Sequence, residues 1–226
     1  MRIIYYTHIH RIMHFLSKLI YFIMATTKKV GIDESHGIAH SFNTLHNACD
    51  IYQNEKFRNT EIIPHEKVIY VAAAIHDMCD KKYMNEKEGI REIDKLLKMD
   101  MSTSEIQAVH DIVGKMSYSK VKKTGFPDMG KYQAAYHVVR EADLLAAYDF
   151  DRAMIYHMYK YNEMTNNSHM VEEAYTDSVD LFSHRMLCHE QDGLLTFEYS
   201  RQKADVLRYH SLKQMKHWSK IIRILK

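Results

Sequence analysis

The sequence predicts an all-α domain, and three observations predict it. Gly and Pro, which punctuate turns and break helices, number only 7 and 2 in 226 residues. Apolar residues recur at three- and four-residue spacing along most of the chain. Neither strand-like alternation nor a Rossmann or P-loop glycine pattern occurs.

The elements follow in order. Ile12, Phe15, Leu19, Phe22 and Ile23 place a first amphipathic helix near the N-terminus. Arg2, His8, His10, Arg11, His14 and Lys18 interrupt its apolar residues, so no run approaches the ~20 needed for a membrane span. The same interruptions argue against a signal peptide. Met24 offers an alternative start, so residues 1–24 are expected to be an N-terminal helix or extension and 25–226 the domain proper. Segment 35–54 carries Ile38, Phe42, Leu45, Cys49 and Tyr52 on one helical face. Segment 64–78 opens with Pro64 and is apolar nearly all round from Val68 to Ile75, which predicts a helix buried on most sides. A charged helix at 84–99 follows, then one capped by a serine or threonine at 102–104. Residues 117–130 read as a loop and 131–161 as a long helical region. Residues 171–189 form a further helix, Asp192-Gly193 a turn, and 196–225 one helix or a pair.

Composition narrows the function classes. A formal net charge of +2 gives no strong electrostatic reason to expect nucleic acid or membrane as the main partner. The basic stretch Lys203–Lys226 reads as a solvated helix face. Three dispersed cysteines without a CxxC argue against a disulfide framework or a cysteine zinc site, so a reducing, cytoplasmic compartment is expected. With 16 histidines, a single one carries little weight and spacing must decide.

Three positions could carry chemistry. At 100° per residue, His36, His40, Asn43 and Asn47 fall opposite the apolar stripe of their helix, as a cleft or as a solvated face. His76-Asp77 ends the most apolar helix, where a divalent cation would compensate both groups, unless the helix reaches solvent there. Asp143 sits within Ala142-Asp143-Leu144-Leu145-Ala146-Ala147 and needs a partner, either a metal or Arg140.

The ordered set, His, then His-Asp, then Asp, resembles the HD superfamily of metal-dependent phosphohydrolases. The resemblance extends to the flanks. Ser35-His36-Gly37-Ile38-Ala39-His40 is similar to an S-H-x-x-x-H opening. Ala74-Ile75-His76-Asp77-Met78-Cys79-Asp80-Lys81-Lys82-Tyr83 is similar to an H-D-x-x-D-x-K-Y segment. Ile112 to Tyr118 resembles a helix ending in an I-S-[FY] turn, and Arg140 to Leu145 a D-A-D-x-L segment. The likeness covers roughly residues 33–218, with departures at Asn43-Thr44 and from Tyr148 to Arg152.

The resemblance implies a helical bundle with His40, His76, Asp77 and Asp143 as ligands of one divalent ion. Mn or Fe is expected, with Ni, Co or Mg as alternatives. It implies a nucleotide or other phosphoanhydride as substrate. Asp77 and Asp80 are the candidate catalytic carboxylates. Lys82, Lys120 and His36 are the candidate substrate contacts, with solvated loop charge as the alternative for the lysines. His110-Asp111, a second His-Asp pair, lies in an amphipathic helix and is not expected to be the primary site. Two other readings stay open: an inactive HD domain that binds nucleotides, and a helical nucleic-acid or protein interaction module.

Overall fold

The structure, a computed structural model, describes residues 2–33, 35–78, 85–162 and 169–225. Among these residues there are ten α-helices, three short 3-10 helices and no strand. The chain is all-α.

Helix α1 (Arg2–Val30) runs through Met24 without a break and buries Leu19 and Ile23 in the main core. The side chain of Ile12 lies outside the described residues. No helix among the described residues is long and apolar enough to cross a membrane.

Helices α2 (Ile38–Glu55), α3 (Glu66–Ile75) and α7 (Gln133–Ala146) pack against one another and form the centre of the fold. Helix α3 buries every residue from Val68 to Ile75 except Tyr70, because α1, α2, α5 and α7 surround it. Pro64 lies in a preceding 3-10 helix (Thr60–His65). Helix α4 (Glu86–Leu97) is capped by Asn85, whose side chain accepts from the backbone of Lys87 and Glu88. Helix α5 (Thr103–Lys115) begins with a capping box: Ser102 Oγ accepts from Glu105 N–H, and the Glu105 carboxylate accepts from Ser102 N–H. Ser102→Ala is expected to cost about 1 kcal/mol. Urea denaturation should register that loss as a lower midpoint at unchanged slope.

Burial of α2 departs from its apolar stripe: Tyr52 is buried, but Ile38, Leu45 and Cys49 are only partly so. Phe42 is 36% exposed, whereas Thr44 is fully buried and His40 is 4% exposed. His40, Thr44 and Asn47 are buried together with Ala48 and Ile51, and Asn47 Nδ2 donates to the Ala142 carbonyl of α7 at 3.3 Å. The interior here is a lined site, so polarity does not mark the outside.

Two other expectations need correction. Residues 117–130 are not a simple loop: they contain α6 (Tyr118–Thr124), which stops at Gly125, where φ is +76°. Residues 131–161 are not one continuous helix. Helix α7 ends at Ala146, and Asp149 Oδ1 then accepts from the backbone N–H of Asp151 and Arg152, starting α8 (Phe150–Asn162). Helix α8 pairs with α9 (Met170–His184) over a second apolar cluster that includes Phe150, Met154, Phe182 and Met215. A single long helix, α10 (Glu198–Leu225), closes the fold.

Candidate metal centre

The end of α3 is where the apolar run stops. His76 is its C-cap, and Asp77 follows directly. His40 arrives from the first turn of α2 and Asp143 from the last turn of α7. The four side chains meet. His40 Nε2 lies 3.0 Å from His76 Nε2, 3.4 Å from Asp77 Oδ2 and 3.3 Å from Asp143 Oδ1. His76 Nε2 lies 3.3 Å from Asp77 Oδ2 and 3.5 Å from Asp143 Oδ1. With metal–ligand bonds of ~2.0–2.2 Å, neighbouring donors in one coordination sphere stand ~2.8–3.6 Å apart. All five separations fall in that window.

Hydrogen bonding adds a second argument. Asp77 Oδ2 is buried and accepts no hydrogen bond. A buried carboxylate oxygen without a donor costs several kcal/mol, on the order of 1–3 even for neutral groups. His76 Nδ1 donates to the Ala73 carbonyl at 2.9 Å, which turns the Nε2 lone pair toward the cluster. His40, His76 and Asp143 offer donors that all lie within 4.8 Å of one another. Mixed imidazole and carboxylate donors suit Mn, Fe or Zn, so the residues present fit a divalent transition ion.

The electrostatics are those of a strongly coupled group. Burial lowers the pKa of His40 to about 4, reinforced by the nearby Arg152 guanidinium. Burial works in the same direction on His76, but the carboxylates of Asp77 and Asp143 overcome it and hold its pKa well above 6.5. Burial pushes the two carboxyls up, and the imidazoles more than offset this, so Asp77 and Asp143 stay ionised far below the usual carboxylate range.

The surroundings of the four donors include His36, whose ring stands 6.1 Å from that of His40 and 5.9 Å from Tyr156. Ser35 Oγ lies 2.8 Å from His36 Nδ1. Lys120 is exposed and donates to the Gly114 carbonyl at 2.7 Å; this contact, and not one to the cluster, is what the structure gives it. Asp80 and Lys82 lie outside the described residues. His110 Nε2 donates to Asp94 Oδ1 of α4 at 2.7 Å, a partner outside the four. A separate pocket of about 410 Å³, lined in part by Glu55, Arg58, His137 and Arg201, shares none of its residues with the cluster.

Sequence reasoning passed over two arginines. Arg152, in the first turn of α8, places its Nη1 against His40 Nδ1. Arg185, just past α9, stacks its guanidinium 4.2 Å from the centre of the Tyr118 ring. Nothing in their local spacing marks them, because their partners, His40 and Tyr118, lie far away in the sequence.

No protein-family model matches the chain, and no curated protein matches it. A solved structure does. The fold is similar to the crystal structure of a structural-genomics target from Lactobacillus plantarum. The TM-score is 0.66 at 16% identity, with 93% of this chain and 98% of that chain covered. The likeness is one of fold.

Proposed function

We propose that this chain is a metal-dependent phosphohydrolase of the HD type, acting on a nucleotide or other phosphoanhydride. The observation that carries the reading is the meeting of two imidazoles and two carboxylates from three separate helical segments, one carboxylate oxygen being buried without a donor. His40, His76, Asp77 and Asp143 would hold one divalent ion, Mn or Fe before Ni, Co or Mg. When bound, such an ion supplies a Lewis acid that polarises a phosphoryl oxygen and acidifies water.

The chain's own residues account for the rest. The Ala73 carbonyl fixes the His76 ring and its tautomer. The two carboxylates carry the negative charge that balances a dication. Asn47 clamps α2 to α7, which keeps His40 and Asp143 in register. Asp80, three residues beyond Asp77, is the candidate to orient the attacking water, and Lys82 to meet a phosphate oxygen.

A screen of nucleoside triphosphates, pyrophosphate-linked compounds and simple phosphate esters, with and without Mn, tests the reading. Metal-stimulated release of phosphate or pyrophosphate supports it. Metal-independent binding of nucleotides without turnover would favour an inactive HD domain instead.

Two quantitative expectations accompany the proposal. His76→Ala should lose activity by at least about 100-fold, whereas His110→Ala should lose only a few-fold. Equal losses would relocate the site. Metal uptake should also depend on pH with a defined sign. His76 keeps its proton above pH 6.5, and a cation must displace it, so apparent affinity rises with pH, by up to about tenfold per unit below that raised pKa. Calorimetric Mn titrations at pH 6 and pH 8 measure this, and equal affinities at both would remove His76 from the ligand set.

A further inference from the structure

We propose that Arg152 and Arg185 form a two-guanidinium seat that holds the phosphates of the ligand beside the four-donor cluster. The inference rests on the phosphohydrolase reading and assigns to it the anion-binding residues. Arg152 reaches the cluster directly, through its contact with His40 Nδ1. Arg185 follows α9, with its guanidinium 4.2 Å from the centre of the Tyr118 ring, and the charges of Asp143 and Arg152 both act on it.

The hydrogen-bond accounting of Arg185 is incomplete. A guanidinium carries five N–H donors and no acceptor. The Arg185 guanidinium stands 4.2 Å from the centre of the Tyr118 ring, and its Nε is buried without a hydrogen-bond partner among the described residues. Tyr118 holds the guanidinium in place, and the Nε donor is left without an acceptor of the protein's own among the described residues. Two cations beside a site that binds a dication repel one another and that ion unless an anion lies among them. Bidentate donation to phosphate oxygens is the pairing such forks fit best.

Arg152 gives the seat a link to metal loading. A neutral imidazole has one donor and one acceptor nitrogen. With Nε2 of His40 given to a cation, the single ring proton would sit on Nδ1 instead, which could then no longer accept from Arg152. The guanidinium, a donor only, must then turn to another acceptor, and a phosphate oxygen beside the cluster provides one.

Calorimetric titration of inorganic pyrophosphate tests the seat, first into metal-stripped protein and then into Mn-loaded protein. Wild type should bind one equivalent in both states. Arg152→Ala and Arg185→Ala should each weaken that binding at least about tenfold, with Mn content and melting temperature unchanged. Arg185→Gln, which keeps a polar stem of similar reach, replaces the alanine variant if the latter does not fold. Wild-type affinity in either arginine variant overturns the proposal, as does failure of wild type to bind pyrophosphate in both states. Loss of Mn together with pyrophosphate also overturns it, since the arginine would then act through the ligands. Arginine-dependent pyrophosphate binding by protein that takes up no Mn would instead leave the seat standing and sink the metal reading.

Discussion

Asp77→Ala is expected to remove bound metal and hydrolytic activity together, with activity falling at least about 100-fold, the loss that even outer-sphere partners of a metal site reach. The reason lies in the balance at the end of α3. Asp77 Oδ2 stands 3.4 Å from His40 Nε2 and 3.3 Å from His76 Nε2, and it is the buried oxygen that accepts no hydrogen bond. Its removal leaves one carboxylate to balance a dication and takes away one of the two groups that hold the His76 proton on in the metal-free protein. Asp77→Asn keeps the shape but not the charge and should behave in the same way. Elemental analysis of the purified variants, run beside a substrate assay, checks both halves. A variant that keeps full metal content would show that Asp77 is not a ligand.

The second large effect concerns the scaffold. Glu141→Ala is expected to destabilise the protein by about 3–5 kcal/mol, because it strands a buried charge. Glu141 is fully buried and takes four donors: Arg140 Nη2 at 3.0 Å, Thr196 N–H at 2.8 Å, Thr196 Oγ1 at 2.5 Å and Phe197 N–H at 3.3 Å. It thus pins the start of α10 to α7 two residues before Asp143. Arg140, 1% exposed and stacked 4.7 Å over Phe126, would lose the carboxylate it contacts among the described residues. Thermal and urea unfolding measure the loss. A change below about 1 kcal/mol would mean that water or rearrangement replaces the carboxylate, and the pair would then be incidental to stability.

This arrangement also resolves an ambiguity that the sequence left open. Arg140 was one possible partner for Asp143, but its carboxylate partner is the adjacent Glu141. Asp143 instead faces His40 and His76. Neighbours one apart point to different sides of a helix, and spacing alone does not say which of two acids an arginine will reach.

The helical class was legible because scarce Gly and Pro and three-to-four spacing are local properties of the chain. The buried run from Val68 to Ile75 was legible for the same reason, and with it the position of His76 at a helix end. The inward face of α2 was not. Hydrophobic periodicity assumes an apolar interior, and around His40, Thr44 and Asn47 the interior is polar because a site lies there. The break between α7 and α8 was missed because Asp149 caps α8 in a stretch whose spacing stays helical on both sides. Arg152 and Arg185 could not be placed from spacing at all, since Arg152 meets His40 across 112 residues of sequence and Arg185 meets Tyr118 from beyond α9.

The most direct measurement is anomalous diffraction at the Mn absorption edge from crystals grown with the ion. The account predicts a single strong peak within about 2.5 Å of His40 Nε2, His76 Nε2, Asp77 and Asp143. Crystals soaked to saturation that show no peak among these four donors, or a peak elsewhere in the molecule, would contradict it.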